Sequence, residues 1–256
     1  MMQQYLQIKA EHQAYMLFYR MGDFYELFFD DAVKASETLD IVLTKRGKNG
    51  ENDIPMCGVP AHSHESYLEK LIKAGFKVAI CEQMESPEEA KKRGHKAVVR
   101  REVTRIITSG TILEESLLDS NENNFLCCIA QHNSELSIAW VEISTGQLYV
   151  CKSAASSISL DLARFSPKEV IVSEAFYRSE TGKEATTDYQ QVLSVRSSSV
   201  FDLSRCQRRI KDFYKVANIN SFGNFSEVEV MAIGALLEYL EHTQKGMLPR
   251  LSRPQM

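Results

Sequence analysis

The first part of the chain opens on an alternation of apolar and polar residues that is typical of a β-hairpin. Residues 15–19 form a short aromatic and aliphatic run of strand composition, and residues 21–23 have the composition of a tight turn. From Phe24 to Phe28 the pattern has a period of two, so that Phe24 and Glu26 share one face of the predicted strand. The pattern therefore predicts two strands joined by a turn, with a large ring beside a carboxylate on one face.

The pattern over the rest of residues 1–110 predicts a compact α+β domain in which helices cover one face of a sheet. The chain supplies helix formers at 2–14 and an aspartate, Asp30, placed to cap the helix that follows the hairpin. The further predicted elements are a helix over 31–39, a strand over 41–44, a loop over 45–53, an extended segment between Pro55 and Pro60, a helix opened by Ser63 with Leu68, Leu71 and Ile72 as its buried stripe, a strand over 76–84, an exposed charged connection over 86–95 and a strand over 97–108.

A second pattern begins at Phe125, after a polar stretch over 111–124 that predicts a linker. Strands are predicted over 125–131, 136–143 and 147–151, followed by a helix over 158–164, a strand over 168–173, a weak strand over 190–195 and helices over 204–215 and 227–244. A three-stranded meander followed by alternating helices and strands favours an α/β domain.

The face shared by Phe24 and Glu26 permits two interpretations. If the face is core, Glu26 is a buried charge without an obvious partner, which costs free energy. If the face is surface, Phe24 is an exposed aromatic ring that calls for a function. On burial statistics alone, a core Phe24 with Glu26 at a solvated edge is the more common arrangement.

A resemblance changes this balance. The heptad from Gly22 to Phe28, with Asp30, Asp31 and Ala32 after it, resembles the mismatch-recognition motif of the MutS family of DNA mismatch repair proteins. The similarity continues in order and approximate spacing through residues 43–47, 54–60, His62, 67–68, 78–83 and 105–108. The chain departs from the family pattern at Ser109, where the family usually has proline, and this bears on the domain boundary.

The resemblance implies a domain organisation. Residues 1–110 would be a mixed-sheet mismatch-recognition domain, 111–124 a linker and 125–245 a ribonuclease H-like connector domain. Residues 246–256 would begin the lever region, where the chain stops.

The resemblance also implies a site. Phe24 would enter the mispaired base step as a wedge, and Glu26 would hydrogen-bond the displaced base. Met21, Arg46 and Arg105 would help to hold the DNA backbone near the kink, although each could equally be an ordinary surface or packing residue.

The implied partners are mismatched double-stranded DNA, a second copy of the full-length protein and a MutL homologue. ATP and magnesium would be cofactors of the full-length protein only. This chain has no phosphate-binding loop, because Glu184 follows Gly182 and Lys183 and Tyr177 occupies the upstream glycine position. We therefore expect no enzymatic activity and no cofactor for these 256 residues.

Composition and charge constrain the cellular location, the state of the cysteines and the DNA affinity that we expect. The chain has 44% hydrophobic and 25% charged residues, no apolar stretch long enough to cross a membrane and no signal-like start, so we expect a cytoplasmic protein. Its six cysteines form no Cys-x-x-Cys pair and suggest reduced, buried thiols. The net charge of −4 predicts weak non-specific affinity for DNA, and the basic side chains over 91–105 are the local exception.

Three other functions have partial support in the sequence. A metal site could use His62 and His64 with Cys57 or Cys81, but the spacing fits no zinc pattern well, so we expect no metal. A two-metal nuclease in residues 125–245 would need paired acids on its central strands, where the first strand has none and the second only Glu142. A protein-interaction module with a core Phe24 is the third alternative.

Overall fold

A computed structural model describes residues 1–49, 52–94, 96–114, 122–221, 223–246 and 250–256. The chain divides into two compact units, Met1–Thr108 and Ser109–Met256. The predicted linker lies partly outside the described residues, as does the start of the predicted lever region at 247–249. No helix among the described residues is long and apolar enough to cross a membrane.

Unit 1 is built on a six-stranded mixed sheet. Its strands are β1 (Met16–Met21), β2 (Phe24–Phe28), β3 (Thr44–Asn49), β4 (Asn52–Pro60), β5 (Val78–Gln83) and β6 (Arg101–Ile107). They lie in the order β3-β4-β2-β1-β5-β6, and among the described residues the β1–β5 pair is parallel and the other pairs are antiparallel.

Helices pack on both faces of this sheet. The described helices of unit 1 are α1 (Met2–Glu11), α2 (Phe29–Leu39), α3 (His64–Lys73) and α4 (Pro87–Lys92). Tyr5 of α1 packs edge-on against Tyr19 and Phe28, with ring centroids 5.4 and 4.9 Å apart. On the opposite face, the Cys57 thiol donates a hydrogen bond to the Ala32 carbonyl of α2 at 3.5 Å. The expectation of a single helix-covered face is therefore wrong, because Tyr5 of α1 covers part of the second face at Tyr19 and Phe28.

The elements of unit 1 differ from the prediction in four respects. The helix after the hairpin begins at Phe29 with no side-chain cap, so Asp30 is not its cap. Residues 41–43 are not a strand, and Val42 is 78% exposed. The predicted loop instead forms β3, which pairs with β4 through an irregular register between Lys45 and Lys48. The charged connection contains α4, opened by a reciprocal Ser86–Glu89 capping box.

Unit 2 is built on a five-stranded mixed sheet. Its strands are β7 (Phe125–His132), β8 (Glu135–Glu142), β9 (Gln147–Ser153), β10 (Glu169–Ser173) and β11 (Leu193–Arg196). They lie in the order β11-β10-β7-β8-β9, in which β7, β8 and β9 form the antiparallel meander and β10 runs parallel to both β7 and β11. The fold class expected from the sequence, an α+β domain followed by an α/β domain, is confirmed.

The helices of unit 2 cover its sheet on two sides. They are α5 (Ile158–Phe165), α6 (Glu174–Arg178), α7 (Glu180–Ala185), α8 (Leu203–Tyr214) and α9 (Glu227–Gln244). One core packs α8 and α9 against the sheet, and the other packs α5, α6 and α7 against it. The bounds of α9 are those predicted, whereas the short helices α6 and α7 were missed. At the sheet edge formed by β9, the backbone amides of Ser252 and Gln255 donate to the carbonyls of Gly146 and Leu148.

Candidate nucleic-acid interface

The β1–β2 hairpin has a two-residue turn that only a flexible first residue accommodates well. Gly22 has φ +62°, while Asp23 is not among the residues with positive φ, which is the pattern of a type II′ turn. The tip is tied down on one side by the Ala61 amide, which donates to the Asp23 carbonyl at 2.8 Å. On the other side, Arg20 Nε donates to the Gly22 carbonyl at 2.6 Å. The turn is therefore held firmly where β2 begins.

Phe24 begins β2 directly after this turn, and the residue is 48% exposed. It pairs with Met21 on β1 and with Pro60 on β4. Tyr25 and Leu27, on the opposite face of the strand, are buried. The predicted alternation is confirmed, and the interpretation that makes Phe24 a core residue is wrong.

Glu26 lies two residues along the same face and is already engaged by a cation. Its carboxylate accepts hydrogen bonds at both oxygens from one guanidinium nitrogen of Arg46. The Glu26 side chain is 14% exposed and that of Arg46 is 41% exposed. Gly58 is the residue opposite Glu26 on β4, so no side chain there covers the carboxylate.

The irregular pairing of β3 with β4 explains how the Arg46 side chain contacts Glu26. Arg46 lies between Lys45 and Lys48, where the register with β4 shifts, and the adjacent Gly47 has φ +73°. A bulge with a glycine in the left-handed region re-aims the neighbouring side chain. The sequence motif predicted Glu26 and Arg46 separately, and the fold brings them together.

On the opposite face of β2, Tyr25 anchors the strand. Its ring packs against Phe18 and His64, with centroids 5.6 and 5.2 Å away, and the Arg20 guanidinium lies 5.2 Å from the ring centroid. Its hydroxyl donates to Glu82 on β5. Burial, followed by the hydrogen bond to Glu82, raises the pKa of Tyr25 to about 12. The residue beside the exposed Phe24 is thus fixed by packing and by a hydrogen bond.

Arg101 of β6 supports the hairpin at the end of β1, although β5 separates these two strands. This side chain is 7% exposed, and its Nε donates to the Arg20 carbonyl at 2.6 Å. A terminal nitrogen lies 3.2 Å from the Met21 sulfur, and the guanidinium is 4.9 Å from the Tyr19 ring centroid. Sequence reasoning placed Arg101 only within a basic run, although its alternation with the inward-facing Val103 would have indicated a buried role. Met21 therefore contacts Arg101 behind the tip.

Arg105 is not part of the same cluster. It pairs with Ile80 on β5, which faces the side of the sheet opposite to Phe24 and Glu26. Strands β1 and β5 also separate β6 from β2, a spacing of about 14 Å for three strand steps. Any contact of Arg105 with DNA would therefore be made at a different place from that of Arg46.

The basic run over 91–105 does not form one free cationic face. Arg93 is paired with Glu85, and Arg101 is buried. The Arg100 amide and the Arg93 guanidinium hold the pKa of Glu85 below its usual value. On β3, Arg46 is an exposed cation that reaches the Phe24 and Glu26 face, whereas Lys45 is paired with Asp53.

The rival metal sites find no support in the geometry. Within the described ranges, no group of three or more His, Cys, Asp or Glu side chains could hold a metal ion. Among the described residues of unit 2, Glu169 on β10 is a fully buried acid, and it accepts hydrogen bonds from the hydroxyls of Ser194 at 2.5 Å and Tyr239 at 2.6 Å. The Gly110 amide also donates to it at 3.2 Å. This carboxylate is a packed structural group.

Comparisons with known proteins agree with the resemblance seen in the sequence. The model of MutS domain I matches residues 1–116 and that of MutS domain II matches residues 124–252, and no ATPase domain is among these matches. A protein of Wolbachia pipientis named DNA mismatch repair protein MutS is 51% identical over 99% of this chain and 30% of its own length. Proteins of the same name from Roseobacter denitrificans and Ehrlichia chaffeensis are 50% and 47% identical, and the chain covers 29% and 31% of their lengths.

The chain thus spans about 30% of the length of these relatives. The models of domains I and II match one after the other along the chain, and together they cover nearly all of the residues of the chain. The chain belongs to the MutS family, of which it carries domains I and II.

Proposed function

We propose that this chain recognises mispaired positions in double-stranded DNA, as the mismatch-recognition part of a DNA mismatch repair protein. The observation that carries the proposal is the exposed ring of Phe24 on a turn fixed at both sides. An exposed aromatic side chain on a rigid element suits insertion between base pairs, since little conformational entropy is lost on binding.

Phe24 selects mispaired steps through the cost of deforming DNA. An apolar wedge partly unstacks a base step and kinks the duplex, which costs a few kcal/mol and less where the pair is already mismatched. The wedge therefore favours a mismatch without reading base identity.

At the same base step, Glu26 adds a second source of selectivity, a hydrogen bond from the displaced base. A displaced mismatched base presents a ring hydrogen that a Watson–Crick pair keeps occupied, and a carboxylate can accept it. Against a correct pair, Glu26 gains no hydrogen bond from the base in return for the water that it loses, at a cost of about 1 to 3 kcal/mol. Glu26 in this role penalises binding to homoduplex.

The other site residues have supporting roles in this proposal. Met21 contacts Arg101 and stabilises the end of β1 behind the tip. Arg46, which pairs with Glu26, would contact the DNA backbone beside the wedge, and Arg105 would do so elsewhere on the domain.

Longer proteins of this family provide the setting. We propose that mismatch binding by these domains is linked, in a full-length homodimer in the cytoplasm, to ATP and magnesium bound by other parts of the protein and to a MutL homologue. Domain II, the connector, would relay that signal. We expect no nucleotide hydrolysis and no magnesium-dependent DNA cleavage by the 256-residue chain itself.

The test is the ratio of affinities for a duplex with one G·T mismatch and for the matched duplex, at low salt. One added hydrogen bond of about 1 kcal/mol corresponds to a preference of about fivefold. Phe24→Ala should bring the ratio to one, and Glu26→Ala should lower it mainly by tightening binding to homoduplex. Leu6→Ala is the matched control, since Leu6 is a 47% exposed apolar side chain on α1.

An unchanged ratio in Phe24→Ala would contradict the proposal, as would an equal loss in Leu6→Ala. Magnesium-dependent cleavage of either duplex by the purified chain would favour the nuclease alternative instead.

A further inference from the structure

The carboxylate proposed to test the mispaired base is already occupied within the protein. Both oxygens of Glu26 accept from Arg46, and the Glu26 side chain is largely shielded. A base hydrogen that approaches Glu26 therefore meets a carboxylate whose charge is compensated. Recognition must either share this ion pair or replace it.

The partner cation is well placed to leave. Arg46 is the more exposed member of the pair and lies in the bulge of an edge strand. Because β3 is the edge strand of the sheet, a phosphate backbone can approach Arg46 from the open side. A guanidinium binds phosphate and carboxylate oxygens with similar geometry, which makes one partner a substitute for the other.

We propose that Arg46 is a specificity-determining residue that exchanges partners when a mismatch is bound. Before DNA binds, it holds Glu26 in place and neutralises it. At a mismatch, Glu26 accepts the hydrogen of the displaced base, and the released guanidinium moves to a backbone phosphate. The inference rests on the proposed function, because it takes Glu26 as the group that contacts the base.

A matched base pair does not trigger the exchange. It offers Glu26 no free ring hydrogen, so release of Arg46 would leave the carboxylate desolvated and uncompensated beside phosphates. Arg46 then stays on Glu26, and the protein makes one phosphate contact fewer on homoduplex than on the mismatch. The difference between the two complexes is one counterion-releasing contact.

Salt dependence measures that contact. The logarithm of the binding constant falls linearly with the logarithm of salt concentration, with a slope of about −0.9 for each phosphate neutralised in B-DNA. We expect the slope of the unmodified chain to be steeper on the G·T duplex than on the matched duplex by about 0.9.

Two substitutions should abolish this difference in opposite ways. Arg46→Gln removes the cation, so the slope on the mismatch should become as shallow as that on homoduplex. Glu26→Gln removes the charge that holds Arg46, so the slope on homoduplex should become as steep as that on the mismatch. Lys48→Gln is the matched control, because it removes a charge from the same strand without touching Glu26, and it should leave the difference in place.

Two results would overturn the exchange while leaving the proposed function intact. Equal slopes on the two duplexes, together with a mismatch preference, would mean that Arg46 keeps one partner in both complexes. An equal fall in slope on both duplexes in Arg46→Gln would make Arg46 a permanent phosphate contact. Absence of any mismatch preference in the unmodified chain would instead contradict the proposed function itself.

Discussion

At the scale of single residues, Tyr25 is the group that fixes the strand of the wedge. Its ring is packed between Phe18 and His64, and its hydroxyl donates to Glu82. Because Phe24 is its chain neighbour, any loosening of Tyr25 is passed directly to the exposed ring. The apolar anchor and the exposed wedge are therefore two parts of one strand.

Because of Tyr25, the stability of the folded chain should fall as the pH becomes alkaline. Its folded pKa of about 12 lies above the ordinary value of 10.0, so its contribution is full below pH 10 and is lost as the pH rises towards 12. In Tyr25→Phe the free energy of unfolding should fall less over this interval, by about 2 to 3 kcal/mol. Denaturant unfolding followed by circular dichroism at both ends of the interval measures this. Identical pH dependence in the two proteins would contradict the assignment.

Glu169 is the corresponding buried residue of unit 2. Glu169→Ala leaves the hydroxyls of Ser194 and Tyr239 without this acceptor, and should lower the free energy of unfolding by about 3 kcal/mol or more. Glu169→Gln keeps an acceptor oxygen and should cost clearly less. The fluorescence of Trp140, the sole tryptophan, reports unfolding of this unit. Equal losses in the two variants would contradict a hydrogen-bonding role.

At the scale of elements, the hairpin turn determines where the wedge points. Gly22 and Gly75 both have positive φ, and at each of them a Cβ would have no atom within 4 Å, so alanine at either is strained by backbone conformation and not by a clash. Each substitution should cost about 1 kcal/mol of stability. Only Gly22→Ala should also reduce the preference for a G·T duplex, since Gly75 follows α3.

The comparison of these two variants separates wedge geometry from general stability. For each variant, the affinities for matched and mismatched duplex are measured at a temperature well below that of its unfolding transition. A similar loss of preference in Gly75→Ala would mean that the preference follows stability alone.

Local sequence patterns account for the elements that carry the wedge. The alternation from Phe24 to Phe28 predicted the strand and the residues that share each of its faces, and the bounds predicted for the last helix are those of α9. Strand β3 escaped prediction because its Lys, Gly and Asn composition is that of a loop, and its pairing depends on β4. The short helices α6 and α7 were missed because their stability comes from tertiary packing.

The candidate site was predictable in part for the same reason. Phe24 and Glu26 belong to one short motif, whereas the contact between Glu26 and Arg46 joins residues 20 positions apart. The buried role of Arg101 joins β6 to β1 over 81 positions. Such contacts depend on strand order and on a bulge, which no local period encodes.

At the scale of the whole molecule, charge sets the strength of binding. A net charge of −4 and the internal pairing of part of the basic run leave few cations for phosphate contact. We expect the 256-residue chain to bind matched duplex with a dissociation constant no tighter than about 10⁻⁵ M at physiological salt. A fluorescence anisotropy titration measures this constant. Submicromolar binding to homoduplex would contradict the view that selectivity comes from the wedge and not from general attraction to DNA.

The most direct measurement of the wedge is the stacking of the base beside the mismatch. A 2-aminopurine placed next to a G·T pair becomes brighter when it is unstacked, so saturating protein should raise its fluorescence. Phe24→Ala at saturation should leave the fluorescence at the level of free DNA, whereas Leu6→Ala should retain the full increase. If Phe24→Ala raised the fluorescence as much as the unmodified chain, Phe24 would not be the wedge.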